Sequence, residues 1–345
     1  MSVVLYINSA GNPVYAPAPK VGYAFSGNRI TVSEDGTYDW EFYRATVAPN
    51  TSDSAVRGVW SGKVDGTDVI VAACNSFLWQ LSESEGVWTR TTIGALDTTN
   101  KVHFFGFDGK VYMLNGSEFK SWDGTTYADV AGYRPLVAVA VPYSGGGTAL
   151  QQANLWNSKR RIWCSPDGSH ATFQLPETTI ANVDYVLDIV SSTYYDIVSS
   201  PSAADECSVN LTNGTVTFHT NPTAGTDTIE IGWTYDDDYE SPLLAMTLTE
   251  LYNGTTDNRV FFYGDGTNAA YYSGLEYNGV DGESLATAEY VPELNLIKFG
   301  DSNTALTSMV RHYDSLLAFK ENATYLTRYS TVTLEDGSVT AAFNV

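Results

Sequence analysis

Eight Asp-Gly and four Asn-Gly dipeptides punctuate this chain of 345 residues, among them Asp65–Gly66, Asp108–Gly109, Asp123–Gly124, Asn213–Gly214 and Asp265–Gly266. Both dipeptides supply the positive φ values that tight two-residue hairpins require. The runs between them are short and rich in Val, Thr, Tyr, Phe and Trp, as in Asp68–Ala73, Lys110–Leu114 and Thr228–Tyr235. Such runs fit strands buried on one or both faces. Helical periodicity is nearly absent: the best candidate, Leu243–Tyr252, contains Thr247 and Thr249 and reads equally well as a strand. The expected fold is all-β.

The strand-like runs recur in groups. Gly58-Val59-Trp60-Ser61-Gly62 opens one that continues through Asp68–Ala73, Ser76–Leu81 and Gly86-Val87-Trp88. Val102–Phe107, Gly109–Leu114, Glu118–Trp122 and Gly124–Tyr127 make a second. A third is read across Arg259–Tyr263, Ala269–Ser273, Ile297–Gly300, Thr307–Tyr313, Ser315–Lys320 and Thr324–Tyr329. Units of about 40 residues and four strands are the signature of propeller blades; a run of unrelated hairpins in a sandwich is the alternative. From Asn157 to Asp237 the texture changes to alternating strands, with Asn213–Phe218 and Thr228–Trp233 flanking a Pro/Gly turn, the pattern of a small sandwich. The expected architecture is a β-propeller-like body with an inserted β-sandwich: blades over 1–156, the insert over 157–237, further blades over 238–345.

Composition narrows the function. Forty acidic against 18 basic side chains leave a formal charge of -22, which argues against gripping nucleic acid through its phosphates or binding an anionic membrane. The odd, scattered Cys74, Cys164 and Cys207 argue against a disulfide framework. His103, His170, His219 and His312 are isolated, and no nucleophile-elbow, phosphate-loop or dinucleotide pattern occurs. An enzyme is not expected, and no cofactor is required.

Two clusters remain as candidate sites. Asp236, Asp237, Asp238 and Glu240 crowd four acids into the insert's exit. Oxygen ligands at that density can hold Ca²⁺, with Asp236, Asp238 and Glu240 as the ligands; a solvated loop is the other reading. Glu34, Asp35, Asp39 and Glu41 are a sparser version. Lys159-Arg160-Arg161 is the one basic run. It suits contacts with an acidic patch of a neighbouring subunit better than DNA phosphate, so replacing all three by Glu is expected to weaken self-association. Ser165-Pro166-Asp167-Gly168-Ser169 is similar to the Asp-box of sialidases, but its glycine directly follows the aspartate, and it is read as a turn.

Gln152–Trp156, Asp167–Leu175 and Gly214–Gly232 together resemble the β-domain inserted in structural proteins of tailed bacteriophages. Arg259–Gly264, Tyr290–Asn295, Ile297–Asp301 and Leu316–Lys320 resemble the blades of the same proteins, the propeller-like stabilisation or tail-nozzle family. The resemblance spans roughly residues 55–330. It implies a non-enzymatic virion component of the tail or neck, made in the host cytoplasm. Its partners would be copies of itself in a ring and neighbouring virion proteins, with DNA passing through unbound and no membrane involved. An acidic lumen that repels phosphate fits that role. The strand-like run ending at Val345 stands where the family has further blades, which implies a strand borrowed from a neighbour or a longer protein. The alternative function is a glycan-binding or glycan-cleaving propeller for host attachment, for which the 23 Tyr and 8 Trp would supply stacking platforms.

Overall fold

The computed structural model describes residues 56–84, 87–236, 238–253, 258–277, 284–333 and 339–344, and the backbone of four strands nearer the N-terminus. Those four pair as two hairpins, β1 (Val3–Ile7) with β2 (Pro13–Pro17) and β3 (Arg29–Val32) with β4 (Tyr38–Glu41). The described chain is all-β, as the turn dipeptides require. It divides into two compact units, residues 1–113 with 121–128 and residues 114–120 with 129–345.

In the first unit β5 (Val56–Val64), β6 (Thr67–Cys74), β7 (Phe77–Ser84) and β8 (Val87–Ala95) form an antiparallel sheet in chain order. Asp65 and Gly66 make the first turn with φ of 44° and 76°, bracketed by the Val64–Thr67 pair. β9 (His103–Phe107), β10 (Lys110–Leu114), β11 (Phe119–Trp122) and β12 (Tyr127–Asp129) form the next four-stranded sheet, also in chain order. Alternation decides what each strand buries. Val69, Val71 and Ala73 of β6 and Leu78 of β7 point into one core with Phe104, Val111, Met113 and Trp122. Ile70 and Cys74, on the other face of β6, stay partly exposed.

The second unit opens with ten strands: β13 (Leu136–Val141), β14 (Thr148–Ala149), β15 (Lys159–Cys164), β16 (Thr172–Gln174), β17 (Asn182–Asp188), β18 (Thr193–Tyr194), β19 (Asp196–Ile197), β20 (Glu206–Asn210), β21 (Thr215–Phe218) and β22 (Ile229–Thr234). They make a six-stranded sheet, β14-β13-β15-β22-β17-β18, and a four-stranded sheet, β16-β21-β20-β19. Both face one core: Ile162, Cys164, Val186, Ile231 and Trp233 from the first meet Phe173, Cys207, Val216 and Phe218 from the second. This module begins at Leu136 rather than Asn157, because β13 pairs in parallel with β15.

The segment that read as helix or strand is a 3₁₀ turn, Pro242–Ala245, followed by β23 (Leu248–Asn253). β24 (Asn258–Tyr263) and β25 (Ala269–Tyr272) continue that sheet, the pair β26 (Leu275–Tyr277) and β27 (Ser284–Ala286) intervenes, and β28 (Leu296–Lys298) completes it. β29 (Leu306–His312), β30 (Ser315–Lys320), β31 (Thr324–Thr333) and β32 (Val339–Asn344) form the last sheet. The runs expected as one unit between Arg259 and Tyr329 therefore fall into two sheets, which share a core: Phe261, Tyr263 and Ile297 pack with Met309, Leu316 and Phe343. Phe343 sets its ring edge-on to Phe261 and Tyr252, with centroids 4.8 and 5.0 Å apart.

One buried side chain ties the connections together. Asn154 is 2% exposed; its amide donates to the carbonyls of Tyr133 and Glu289 at 2.8 Å each, and its oxygen accepts from the N–H groups of Trp156 and Val291. Beside it Trp156 stacks on Phe119 at 4.1 Å and donates its indole N–H to the Ala288 carbonyl.

Candidate functional site

Strand alternation separates the three basic residues. Lys159 and Arg161 share one face of β15 with Trp163, whereas Arg160 falls on the side of Ile162 and Cys164. Lys159 is exposed. Arg160, at the edge of the core, pairs with Glu177 and lies over the Tyr235 ring at 4.9 Å. Arg161 donates to Glu230 Oε2 at 3.1 Å and to the Tyr133 hydroxyl at 3.3 Å.

Glu230 is the centre of this arrangement. It sits in β22 between Ile229 and Ile231, which face the core, and is 8% exposed on the opposite face. Cross-strand pairing places Trp163 and Leu187 beside it. Trp163 Nε1 donates to Oε2 at 2.6 Å and the Tyr185 hydroxyl to Oε1 at 2.5 Å. Three donors, one of them cationic, thus satisfy the buried carboxylate, as a charge in a poorly hydrated place requires. Burial, the largest single effect, would lower the Arg161 pKa, but Glu230 together with Tyr133 and Tyr185 outweighs it and the pKa rises. Burial, reinforced by the hydrogen bond to Glu230, pushes the Tyr185 phenol up and keeps it protonated. Arg134 pairs with Asp184 at 2.7 Å and lies over the Tyr185 ring. Gly232, next on this face, leaves the room: a Cβ there would collide with Arg134 and Tyr185. A carboxylate closed in by its donors has no open edge for a ligand. The chemistry of this cluster is cohesion.

A second polar corner lies at the Asp167 turn. Asp167 Oδ1 accepts from the N–H groups of Ser169 at 2.8 Å and His170 at 3.1 Å, and Oδ2 lies 2.6 Å from His170 Nδ1. The His170 ring stacks on Tyr143 with centroids 3.5 Å apart and planes within 7°. Ser144, Thr172, Gln174 and Thr215 complete the wall of a cleft of about 480 Å³. The motif is therefore the turn its sequence suggested. The Ser169 N–H, aided by His170, holds the Asp167 carboxyl below its ordinary pKa. A carboxyl so lowered stabilises the fold above the unfolded-state value of roughly 4, and that contribution fades as pH falls through the folded value. Asp167→Asn is expected to lower Tm at pH 7, with the deficit from wild type shrinking as the melts are repeated toward pH 3.

The acidic exit loop is a turn as far as it is described. Asp236 Oδ1 accepts the Asp238 N–H at 3.0 Å, and the Asp236 carbonyl accepts from Ser158. Among the described residues no group of three or more His, Cys, Asp or Glu side chains is arranged to hold a metal ion; Asp237 lies outside them. Glu34 and Asp35 also lie outside, and Asp39 and Glu41 are described by backbone alone.

Sequence reading missed Tyr133, Arg134, Trp163, Tyr185 and Glu230. The available signal was Glu230 itself, a lone carboxylate between isoleucines in a strand closed by Trp233. A charge in such a run must find a cation. No protein-family model matches the chain, and no curated protein is similar to it in sequence.

Proposed function

We propose that this chain is a non-enzymatic structural protein of a bacteriophage tail or neck, and that several copies form a ring around the DNA channel. The observation that carries the reading is the succession of four antiparallel four-stranded sheets, β5–β8, β9–β12, β23–β25 with β28, and β29–β32, in which the first shares a core with the second and the third with the fourth. Sheets of this size stacking on their neighbours are how propeller-like bodies are assembled. The ten-stranded module of residues 136–234 then stands as the sandwich inserted between blades. The charge of -22 suits a channel that passes DNA without holding it.

Rings of like-charged subunits associate better when salt screens them, since the Debye length falls from about 10 Å at 0.1 M to about 3 Å at 1 M. Light scattering and negative-stain images across that range are expected to show an annular oligomer that gains mass with salt. A monomer at every concentration and salt overturns the ring, and glycan-array binding by that monomer would replace it with a host-attachment propeller.

A further inference from the structure

At one end of the ten-stranded module, the turn from β17 to β18 and the 220–224 loop after β21 form, with Ala204, a pocket of about 480 Å³. That is within the range of small-ligand sites. Tyr195, Pro222 and Ile229 give it apolar walls, and Asp188 is the charged residue of its lining. Asp188 Oδ1 is taken by the N–H groups of Val190 at 2.9 Å and Ser191 at 3.0 Å, whereas Oδ2 has no partner among the described residues. Thr228 also lines the pocket, and its hydroxyl is buried without a hydrogen-bond partner. Burial, and after it the Asp188 carboxylate, raises the Tyr195 phenol, so ring and carboxylate are close. Phe218 holds that ring edge-on at 4.8 Å. A free carboxylate oxygen and an orphaned hydroxyl between apolar walls lack a donor, and leaving such groups unmatched is costly.

The charge around the pocket selects the donor. Between residues 136 and 234 the Lys and Arg side chains are all in the run 159–161. That run starts β15 opposite Thr234, whereas the pocket lies at the other end, where Cys164 and Asp188 both pair with Ile229. Arg160 and Arg161 are already matched by Glu177 and Glu230. Asp205 and Glu206 follow Ala204 on the pocket's rim and Asp227 precedes Thr228. Among the described residues none of these acids, nor Asp188, pairs with a Lys or Arg. Only His170 and His219 can take up positive charge within the module. A concave site edged by one sign of charge concentrates ions of the other.

We infer that this pocket binds a primary alkylammonium group, with its head on Asp188 Oδ2 and the Thr228 hydroxyl and its methylene stem against Tyr195, Pro222 and Ile229. An ammonium carries three donors and one positive charge on a flexible apolar stem, which matches both halves of the lining. A lysine side chain of a protein partner and a free diamine share that head and differ at the far end of the stem. The inference goes beyond the ring reading and does not draw on it.

Titration calorimetry of the full-length protein tests the site, with cadaverine and the methylamide of acetyl-lysine as probes. Both are expected to bind, and pentanol, with the same stem and no charge, is not. Asp188→Asn keeps the acceptor for Val190 and Ser191 while removing the charge. It should weaken both probes about 10–100-fold, the worth of a hydrogen bond to a charged group. Ala204→Trp, on the exposed rim, closes the mouth without touching that turn and should abolish binding, so the site stays testable if the first variant melts early. Tighter binding of the lysine derivative assigns the site to a partner's side chain, and tighter binding of cadaverine to a free amine. No binding of either amine, equal binding of pentanol, or binding that survives both variants overturns the inference. A monomer that binds the amines removes the ring and leaves the site; a ring that ignores them does the reverse.

Discussion

Arg161→Glu is expected to unfold the six-stranded sheet, whereas Lys159→Glu, two residues away on the same strand face, leaves stability within about 0.5 kcal/mol. Among the described residues Arg161 is the only cation that pairs with Glu230, which is buried beside Trp163 and Tyr185, and Arg161 itself is largely covered. Reversing its charge sets two carboxylates against each other where little water separates them. Removing one member of a buried pair costs about 3–5 kcal/mol, and reversal does no less. For a unit of this size that is a fall in Tm of roughly 6–20 °C. Arg161→Met combined with Glu230→Gln should recover most of the loss, because the pair's charges are then removed together. Thermal melts followed by circular dichroism measure all four proteins, and equal melting of Arg161→Glu and Lys159→Glu would remove Glu230 from the core's energetics. The same result bears on self-association: charge reversal of the whole basic run acts first on the fold, so Lys159 alone can test an interface there.

Asn154→Leu should be the other severe change. The side chain serves four backbone groups, the carbonyls of Tyr133 and Glu289 and the amides of Trp156 and Val291. Leucine matches its size but leaves all four to find new partners, and an unsatisfied buried polar group costs about 1–3 kcal/mol. Allowing for local relaxation, the expected loss is about 3–5 kcal/mol. Amide exchange locates it: the protons of Trp156 and Val291 should exchange much faster, while those of β5–β8 in the first unit remain protected. An unchanged exchange rate at Val291 would show that the 287–293 segment holds without Asn154.

Much of the architecture was legible because it is local. Asp65–Gly66 and Asp108–Gly109 form the two-residue turns their sequence announces. Asn75 and Tyr313 adopt the same left-handed φ, 54° and 56°, without a glycine following, so those hairpins were visible only through the strands beside them. Asp123 and Asp265 instead cap loops, each accepting the amide two residues on. The start of the ten-stranded module was hidden because β13 reads Leu-Val-Ala-Val-Ala-Val, a run that any buried strand shares. Its assignment depends on a parallel partner that lies beyond Ala149 in the chain. The basic run was legible as charge but not as structure, because alternation sends its members to different faces. Glu230 and its donors lie on separate segments, and only pairing across β15, β22 and β17 brings them together.

The Asn154 knot also sets a timetable for synthesis. The sheets β5–β8 and β9–β12 close through neighbouring hairpins, so they can form soon after leaving the ribosome. Asn154 must wait for Val291, 137 residues later. At about 5–20 residues per second that interval is roughly 7–27 s. From Thr234 onward the ten-stranded module is complete in sequence while the Glu289 carbonyl and the Val291 amide that Asn154 needs are still being made. A nascent chain stalled between Thr234 and Val291 would hold a finished module on an unfastened stem, the interval in which a chaperone has most to protect.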